Sequence, residues 1–292
     1  MANLLVSPPE ERLRGAAKTP VRIPGSLSLV LPAHNEEANI RFVVEQALET
    51  LPLYTDEFEI IVVNDGSRDN TAAIIDEMAA NDRRVRPIHH KKNKGYGGAL
   101  TTGFESSTSD FVMFMDADRQ FDIADIGLLS PLVDKFDVVA GFRMERNDEF
   151  HRKLFAEIFN LSVRILFGVH MRDIDCAFKI FRGDMLRSLK LSAPGALINT
   201  EIMAKLRRQG ATLVQIGVHH YPRLAGEATG GNPRVIIRAM KETIMLWLKM
   251  HSYTPPASSP NPSGPYRLGD FAVGTGLVVA VSAVVSMLRR GR

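Results

Sequence analysis

Apolar positions in the first half of the chain alternate between two periods. Ser26 to Pro32 is an apolar-rich run that reads as a strand ending at proline, followed by Ile40, Val43, Val44, Ala47, Leu48 and Leu51. That i, i+3, i+4, i+7 spacing is one face of an amphipathic helix. Asn35 is its expected N-cap, with Glu36 and Glu37 at the positive helix end. A second strand, Phe58 to Val63, runs into the turn residues Asn64-Asp65-Gly66-Ser67-Arg68-Asp69 and a helix through Ile74, Ile75 and Met78. A short strand near 85–89 gives way to Lys91-Lys92-Asn93-Lys94-Gly95-Tyr96-Gly97-Gly98 and a helix to about Ser107. Phe111-Val112-Met113-Phe114-Met115 lacks alternation, which predicts a central strand buried on both faces. Asp137 to Arg143 is a fifth strand. The fold class this predicts is α/β: a mostly parallel central sheet with helices on both faces.

Ligands bind beyond the carboxyl ends of the strands in such sheets. The loops expected there, 32–37, 64–69, 116–120 and 141–146, all carry polar residues or glycine. Asp116-Ala117-Asp118 follows its strand directly. A D-x-D at that place suits a Mg²⁺ or Mn²⁺ ion held against phosphate oxygens, since such ions take one or two carboxylates and complete their shell from substrate. One such triplet by itself is more often a turn or a helix cap; several polar loops at one edge read as a composite site.

After residue 145 the pattern changes. Residues 152–167 and 233–250 are basic amphipathic helices, the first with several Phe and the second with Trp247, suited either to a membrane interface or to packing on the domain. The expected organisation is a loose arm over 1–25, a catalytic domain over 26–250, a Pro- and Ser-rich linker over 251–270 and an apolar tail over 271–292. Phe271 to Leu288 carries no charge, and as a helix would span about 27 Å, enough to cross a bilayer core. No signal peptide is expected from the short apolar run at the start. A net charge of only +3 gives no argument for nucleic acid. The single cysteine, Cys176, excludes an intramolecular disulfide and reads as a small core residue.

Leu31-Pro32-Ala33-His34-Asn35-Glu36, Val63-Asn64-Asp65-Gly66-Ser67-Arg68-Asp69, Asn93-Lys94-Gly95 and Asp116-Ala117-Asp118-Arg119-Gln120 occur in the order and spacing of the family 2 glycosyltransferases, which have a GT-A type fold. Gly141-Phe142-Arg143, Arg152-Lys153, the stretch from Asp173 to Lys179 and Tyr221-Pro222-Arg223 make the chain similar to the dolichyl- and polyprenyl-phosphate sugar synthases. The resemblance covers about 26–250. It implies an inverting transfer of one hexose, mannose favoured, from a nucleotide sugar (GDP-mannose or UDP-glucose) to a polyprenyl phosphate at the cytoplasmic face of a membrane, with the protein peripheral or tail-anchored. It implies nucleotide-sugar contacts from Pro32, His34, Glu36, Asp65, Lys94, Asp116, Ala117 and Asp118, and a metal held by Asp116, Asp118 and Gln120. Arg143, Arg152, Lys179 and Arg223 would bind the acceptor phosphate, with Asp118 and Arg143 catalytic.

A phosphate monoester acceptor is largely an oxyanion at neutral pH, so it needs placement by cations and no general base. A soluble hydroxyl acceptor would need a carboxylate, for which Asp173, Asp175 and Glu201 are candidates. A non-catalytic nucleotide-sugar binder is the third reading, which the intact Asp116/Asp118 pair disfavours. The Gln-x-x-Arg-Trp signature of processive synthases is absent, which fits single-sugar transfer. Residues 224–232, with three glycines, are expected to form a lid.

Overall fold

A computed structural model describes residues 19–144, 150–222, 233–257 and 259; the side chains of 150–158 and 233–241 lie outside the description. The chain opens with β1 (Leu27–Ala33), α1 (Ile40–Thr50), β2 (Phe58–Asn64), α2 (Thr71–Asn81), β3 (Val85–His89), α3 (Tyr96–Ser106) and β4 (Phe111–Met115). It continues through the short α4 (Ile126–Leu129), β5 (Val138–Arg143), α5 (Phe150–Phe167), β6 (Phe178–Arg182) and α6 (Gly183–Arg187). α7 (Ile198–Gln209), β7 (Leu213–Val218) and α8 (Pro233–His251) complete it.

The strands form one sheet in the order β3-β2-β1-β4-β6-β5-β7. β1 and β4, the strands without alternation, lie at its centre and are buried along nearly their whole length. β1 pairs in parallel with β2 and β4, β2 with β3, and β5 with β7; β6 alone runs antiparallel, between β4 and β5. The expected α/β class with a mostly parallel sheet is what the chain adopts.

β6 runs backwards because of where its connection lies. β5 ends at the carboxyl edge, and the segment through α5 returns the chain to the sheet at that same edge, so Met115 faces Phe178 and Phe111 faces Arg182. The chain then leaves β6 at the far edge and enters β7 parallel to β5. α7 stops at Gly210, whose φ of 83° is the left-handed cap that glycine adopts without strain. The core centres on Phe104 of α3, Phe114 of β4 and Phe181 of β6. Phe114 lies 5.8 Å from Phe104 and 6.1 Å from Phe181, centroid to centroid. These rings lock the reversed strand to the parallel part of the sheet.

Candidate active site

Strand order reverses at β1: the chain steps from β1 to β2 and β3 on one side, then crosses to β4 on the other. Such a switch point leaves a crevice beyond the carboxyl ends of the diverging strands. β1 and β4 pair only as far as Val30 and Phe114, while β1 continues against β2 to Ala33 and Asn64. The loops 34–37 and 116–120 flank that opening.

The first wall consists of two loops tied together. Asn35 Oδ1 accepts from Arg68 N (2.9 Å), Asn35 N donates to Ser67 Oγ (3.0 Å), and Glu37 N donates to Asp69 Oδ2 (3.1 Å). Asn35 has φ of 56°, a left-handed conformation that Asn tolerates. It is therefore a loop bridge and not the expected N-cap, a place Asn39 takes without a side-chain cap bond. The His34 ring bonds through Nδ1 to the Asp65 carbonyl (2.9 Å), and the Glu36 carboxylate accepts from Asn39 Nδ2 (2.8 Å). Pro32 sits within β1 opposite Val63.

Asp65 is buried and fully engaged. Its Oδ1 accepts from His90 Nδ1 (2.6 Å) and Lys94 N (2.8 Å), and its Oδ2 from Gly95 N (2.8 Å). His90 Nε2 in turn accepts from the Thr102 hydroxyl (3.0 Å), the tautomer following from this network. The carboxylate thus shapes the 94–95 turn at the head of α3, while the Lys94 side chain is exposed. Gly95 has φ of 85°, and a Cβ there would lie 2.5 Å from the Pro194 carbonyl, so only glycine fits.

The second wall is the D-x-D turn. Asp118 Oδ1 accepts from Gln120 N (3.0 Å), closing an Asx turn, and Ala117 is buried between the two carboxylates. Arg119 has φ of 64° with its guanidinium carbon 3.9 Å from the Phe42 ring centre, so α1 holds the turn in its left-handed form. Gln120 Nε2 donates to the Tyr221 carbonyl (3.1 Å), and Tyr221 N donates to the Gln120 carbonyl (2.8 Å). Downstream, Asp125 accepts from His219 N (2.6 Å) and His219 Nδ1 (2.9 Å). The segment leaving β7 is therefore stapled to the D-x-D loop. Tyr96, at the head of α3, donates its hydroxyl to Asp116. Burial pushes the Tyr96 phenol well above its usual range, and the carboxylates of Asp116, Asp175 and Asp118 push it further.

The third wall comes from β5 and the approach to β6. Arg143 Nε and Nη2 lie 2.6 Å and 2.8 Å from the two oxygens of Asp173. Burial works against the Arg143 charge, and Asp173 overcomes it, so the guanidinium stays above its ordinary value. Lys179, expected at the acceptor phosphate, is instead 1 % exposed. Its ammonium donates to the Ile174 carbonyl (3.0 Å) and to the Cys176 carbonyl. Burial lowers its pKa. It fixes the loop that carries Asp173 and Asp175 and does not face the crevice. Cys176 is a buried core residue as expected, its thiol pushed up to about 12 by burial. Of the three candidate bases, Asp173 is paired with Arg143. Glu201 is 1 % exposed and takes Lys205 Nζ and the Ser192 and Ala193 amides. Asp175 is exposed.

Among the described residues no three His, Cys, Asp or Glu side chains converge as a closed metal cage. The donors at the D-x-D turn are oxygens of two carboxylates and one amide. That set fits a hard divalent cation completed by phosphate and water, and does not fit a softer metal. The Arg152 side chain lies outside the description, as do Arg223, the 224–232 loop, the tail over 271–292 and most of the N-terminal arm. No helix among the described residues is long and apolar enough to cross a membrane.

Residues 28–190 match the model of the family described as glycosyl transferase family 2, a span that includes the D-x-D turn and both other walls. The chain belongs to glycosyltransferase family 2. The chain is 32 % identical over 74 % of its length to the glycosyltransferase AglD of Haloferax volcanii, covering 36 % of it. It is 31 % identical over 72 % of its length to an undecaprenyl-phosphate 4-deoxy-4-formamido-L-arabinose transferase of Pseudomonas fluorescens, covering 61 % of it. It is 30 % identical over 66 % of its length to a dolichyl-phosphate beta-glucosyltransferase of Trichomonas vaginalis, covering 64 % of it. The chain thus spans from about a third to just under two thirds of these relatives. Among solved structures it shares its fold with glucosyl-3-phosphoglycerate synthase of Mycobacterium tuberculosis, crystallised with Mn²⁺ and UDP-glucose. The TM-score is 0.61 at 21 % identity, covering 80 % of this chain and 81 % of that one. The preference for mannose finds no support in these relatives, whose names carry formamido-arabinose and glucose.

Proposed function

We propose that the chain transfers a single sugar from a nucleoside diphosphate to a polyprenyl phosphate while lying on a membrane surface. The observation that carries this reading is the surface of two packed helices. α5 follows the carboxyl end of β5 and packs against α8. In their described parts these helices expose Leu161, Met245 and Leu248 next to the basic Arg164 and Lys249. Apolar side chains rimmed by cations suit the boundary between acyl chains and anionic headgroups. The polyprenyl- and dolichyl-phosphate relatives support the acceptor class.

On this reading Pro32, His34 and Glu36 line the nucleoside end of the crevice, and Asp65 shapes it by holding the 94–95 turn. Asp116, Asp118 and Gln120 hold a divalent cation, with Mn²⁺ favoured by the Mycobacterium tuberculosis neighbour. A divalent cation in that place neutralises the charge that grows on the departing diphosphate. Arg143, oriented by Asp173, meets the acceptor phosphate with the guanidinium edge that Asp173 leaves over. Lys179 keeps Asp173 in place. The donor is a UDP-linked sugar on the strength of the same neighbour, with glucose ahead of mannose.

A second reading keeps the chemistry but takes a soluble acceptor, and the exposed Asp175 favours it as a general base. Labelled transfer from UDP-glucose, UDP-N-acetylglucosamine and GDP-mannose to a short polyprenyl phosphate, with Mn²⁺, with EDTA and with Asp118→Asn, tests the first reading. Lipid product from one donor, lost with EDTA and with the variant, is expected. No lipid product, together with turnover on soluble acceptors that falls in Asp175→Asn, would replace it with the second.

A further inference from the structure

Glu201 lies in the first turn of α7, away from the crevice, and is 1 % exposed. A buried carboxylate is costly unless every lone pair is met. Here Oε2 accepts from Ser192 N (2.9 Å) and Ala193 N (2.8 Å), and Oε1 from Ser192 Oγ (3.1 Å) and Lys205 Nζ (2.6 Å). Lys205, one helical turn on, also donates to the Lys190 carbonyl. One i,i+4 pair therefore holds three backbone groups of a segment that belongs to no strand or helix.

The same segment meets the head of α3 backbone to backbone. The Pro194 carbonyl accepts from Gly97 N (2.9 Å). A Cβ on Gly95 would sit 2.5 Å from the Pro194 oxygen, and one on Gly97 would sit 2.0 Å from the Ala193 oxygen. Between these glycines stands Tyr96, whose hydroxyl reaches Asp116. An unbroken run of contacts thus leads from α7 through 190–194 to the 94–97 turn and the D-x-D carboxylates.

We propose that Glu201, paired with Lys205, is a positioning residue for the nucleotide-diphosphate site, acting through the 190–194 segment on the 94–97 turn and Tyr96. The proposal rests on the glycosyl-transfer reading. A buried ion pair is weak evidence for stability, since apolar residues of similar size often replace one at no loss. What this pair adds is a fixed geometry for two amides and a carbonyl that would otherwise have no set partner.

The test compares wild type with Glu201→Gln, with the double variant Glu201→Leu and Lys205→Met, and with Ile202→Val as a control for lost packing on the same helix. Affinity for UDP and GDP in Mn²⁺ is measured by calorimetry, melting temperature by thermal denaturation, and KM and kcat by labelled transfer. The double variant is expected to keep its melting temperature within a few degrees while nucleotide affinity falls roughly tenfold or more, the scale of losing hydrogen bonds to a charged group. KM for the nucleotide sugar rises with it, while KM for the polyprenyl phosphate stays within about twofold. Glu201→Gln, which keeps one amide acceptor, lies between, and decides the matter should the double variant not fold. Unchanged affinity in the Glu201 variants overturns the proposal alone, as does an equal loss in Ile202→Val at matched melting temperature. No nucleotide binding by the wild type overturns the transfer reading and this proposal with it.

Discussion

The Arg143 guanidinium meets the Asp173 carboxylate edge to edge, with two bonds of 2.6 Å and 2.8 Å, although thirty residues of chain separate them. Asp173→Ala would leave a largely buried cation without its partner. Breaking such a pair costs on the order of 3–5 kcal/mol, whereas replacing both members by apolar residues costs much less. Urea unfolding should therefore show Asp173→Leu with Arg143→Met recovering most of the stability lost in Asp173→Ala, while transfer stays abolished if Arg143 is the proposed phosphate-binding cation. Equal losses in the two variants would contradict the pairing.

Asp118→Asn is expected to reduce transfer by about a hundredfold or more, the scale seen when a group stabilising developing charge is removed. The sharper readout is thermal. Wild type should melt at a higher temperature with Mn²⁺ and UDP together than without them, by mass action. The variant should lose that rise, and a full rise in the variant would overturn the proposed role of Asp118 in holding a metal.

Gly97→Ala and Gly195→Ala form a matched pair two chain segments apart. The first places a Cβ 2.0 Å from the Ala193 oxygen; the second meets nothing within 4 Å. Overpacking against backbone should cost Gly97→Ala about 1–3 kcal/mol and weaken nucleotide binding. Gly195→Ala should be neutral, or more stable by roughly 0.4–1 kcal/mol because the unfolded chain loses freedom. Chemical denaturation of both variants decides it.

Acid should loosen the 190–194 segment through Glu201. Burial alone would raise the pKa of this carboxyl, but Lys205 and the Ser192 and Ala193 amides hold it below the ordinary 4.5. A carboxyl with a depressed folded-state pKa contributes stability that is fully present above its unfolded value and is lost as pH falls through the folded one. Unfolding free energy measured between about pH 6 and pH 3 should thus fall more steeply for wild type than for Glu201→Gln. Parallel curves would show that the carboxyl has no depressed pKa.

Cys176, buried and with its thiol pushed up to about 12, should resist alkylation by iodoacetamide at pH 8 in the native protein and react fully in urea. Modification of the folded protein would mean that the 173–177 loop opens far more often than its bonds to Lys179 suggest.

Apolar runs make β1, β2, β4 and β5 legible in the amino-acid sequence, and the short β3 is marked instead by the Asn- and Gly-containing turn that follows it. Hydrophobic patterning fails where burial and hydrophobicity part company. In α7, Glu201, Lys205, Arg208 and Gln209 are buried together with the apolar residues, so no polar face marks the helix. β6 hides a buried lysine among aromatic residues, which makes Lys179 look like a ligand. Its ammonium is met by carbonyls of its own approach loop, a matter of backbone direction that side-chain patterning does not encode. The D-x-D turn and the 64–69 turn are legible as motifs. The Tyr96–Asp116 and Arg143–Asp173 contacts are not, since each joins loops brought together only by strand order. The one hint is an aromatic hydroxyl directly after Gly95, at the start of a helix facing the carboxyl edge.

The reversed β6 has a consequence for how this protein could change. Because the chain leaves β5 and re-enters at β6 along the same rim, the excursion from 144 to 177 starts and finishes in one place. It can be exchanged as a unit without rethreading any parallel strand or disturbing the pairing of β1, β2 and β3. On the proposed reading the molecule is two cassettes on one scaffold, one that reads the nucleotide and one that reads what the sugar is handed to. A graft of 144–177 from a relative with another acceptor is the natural way to redirect the second without retuning the first.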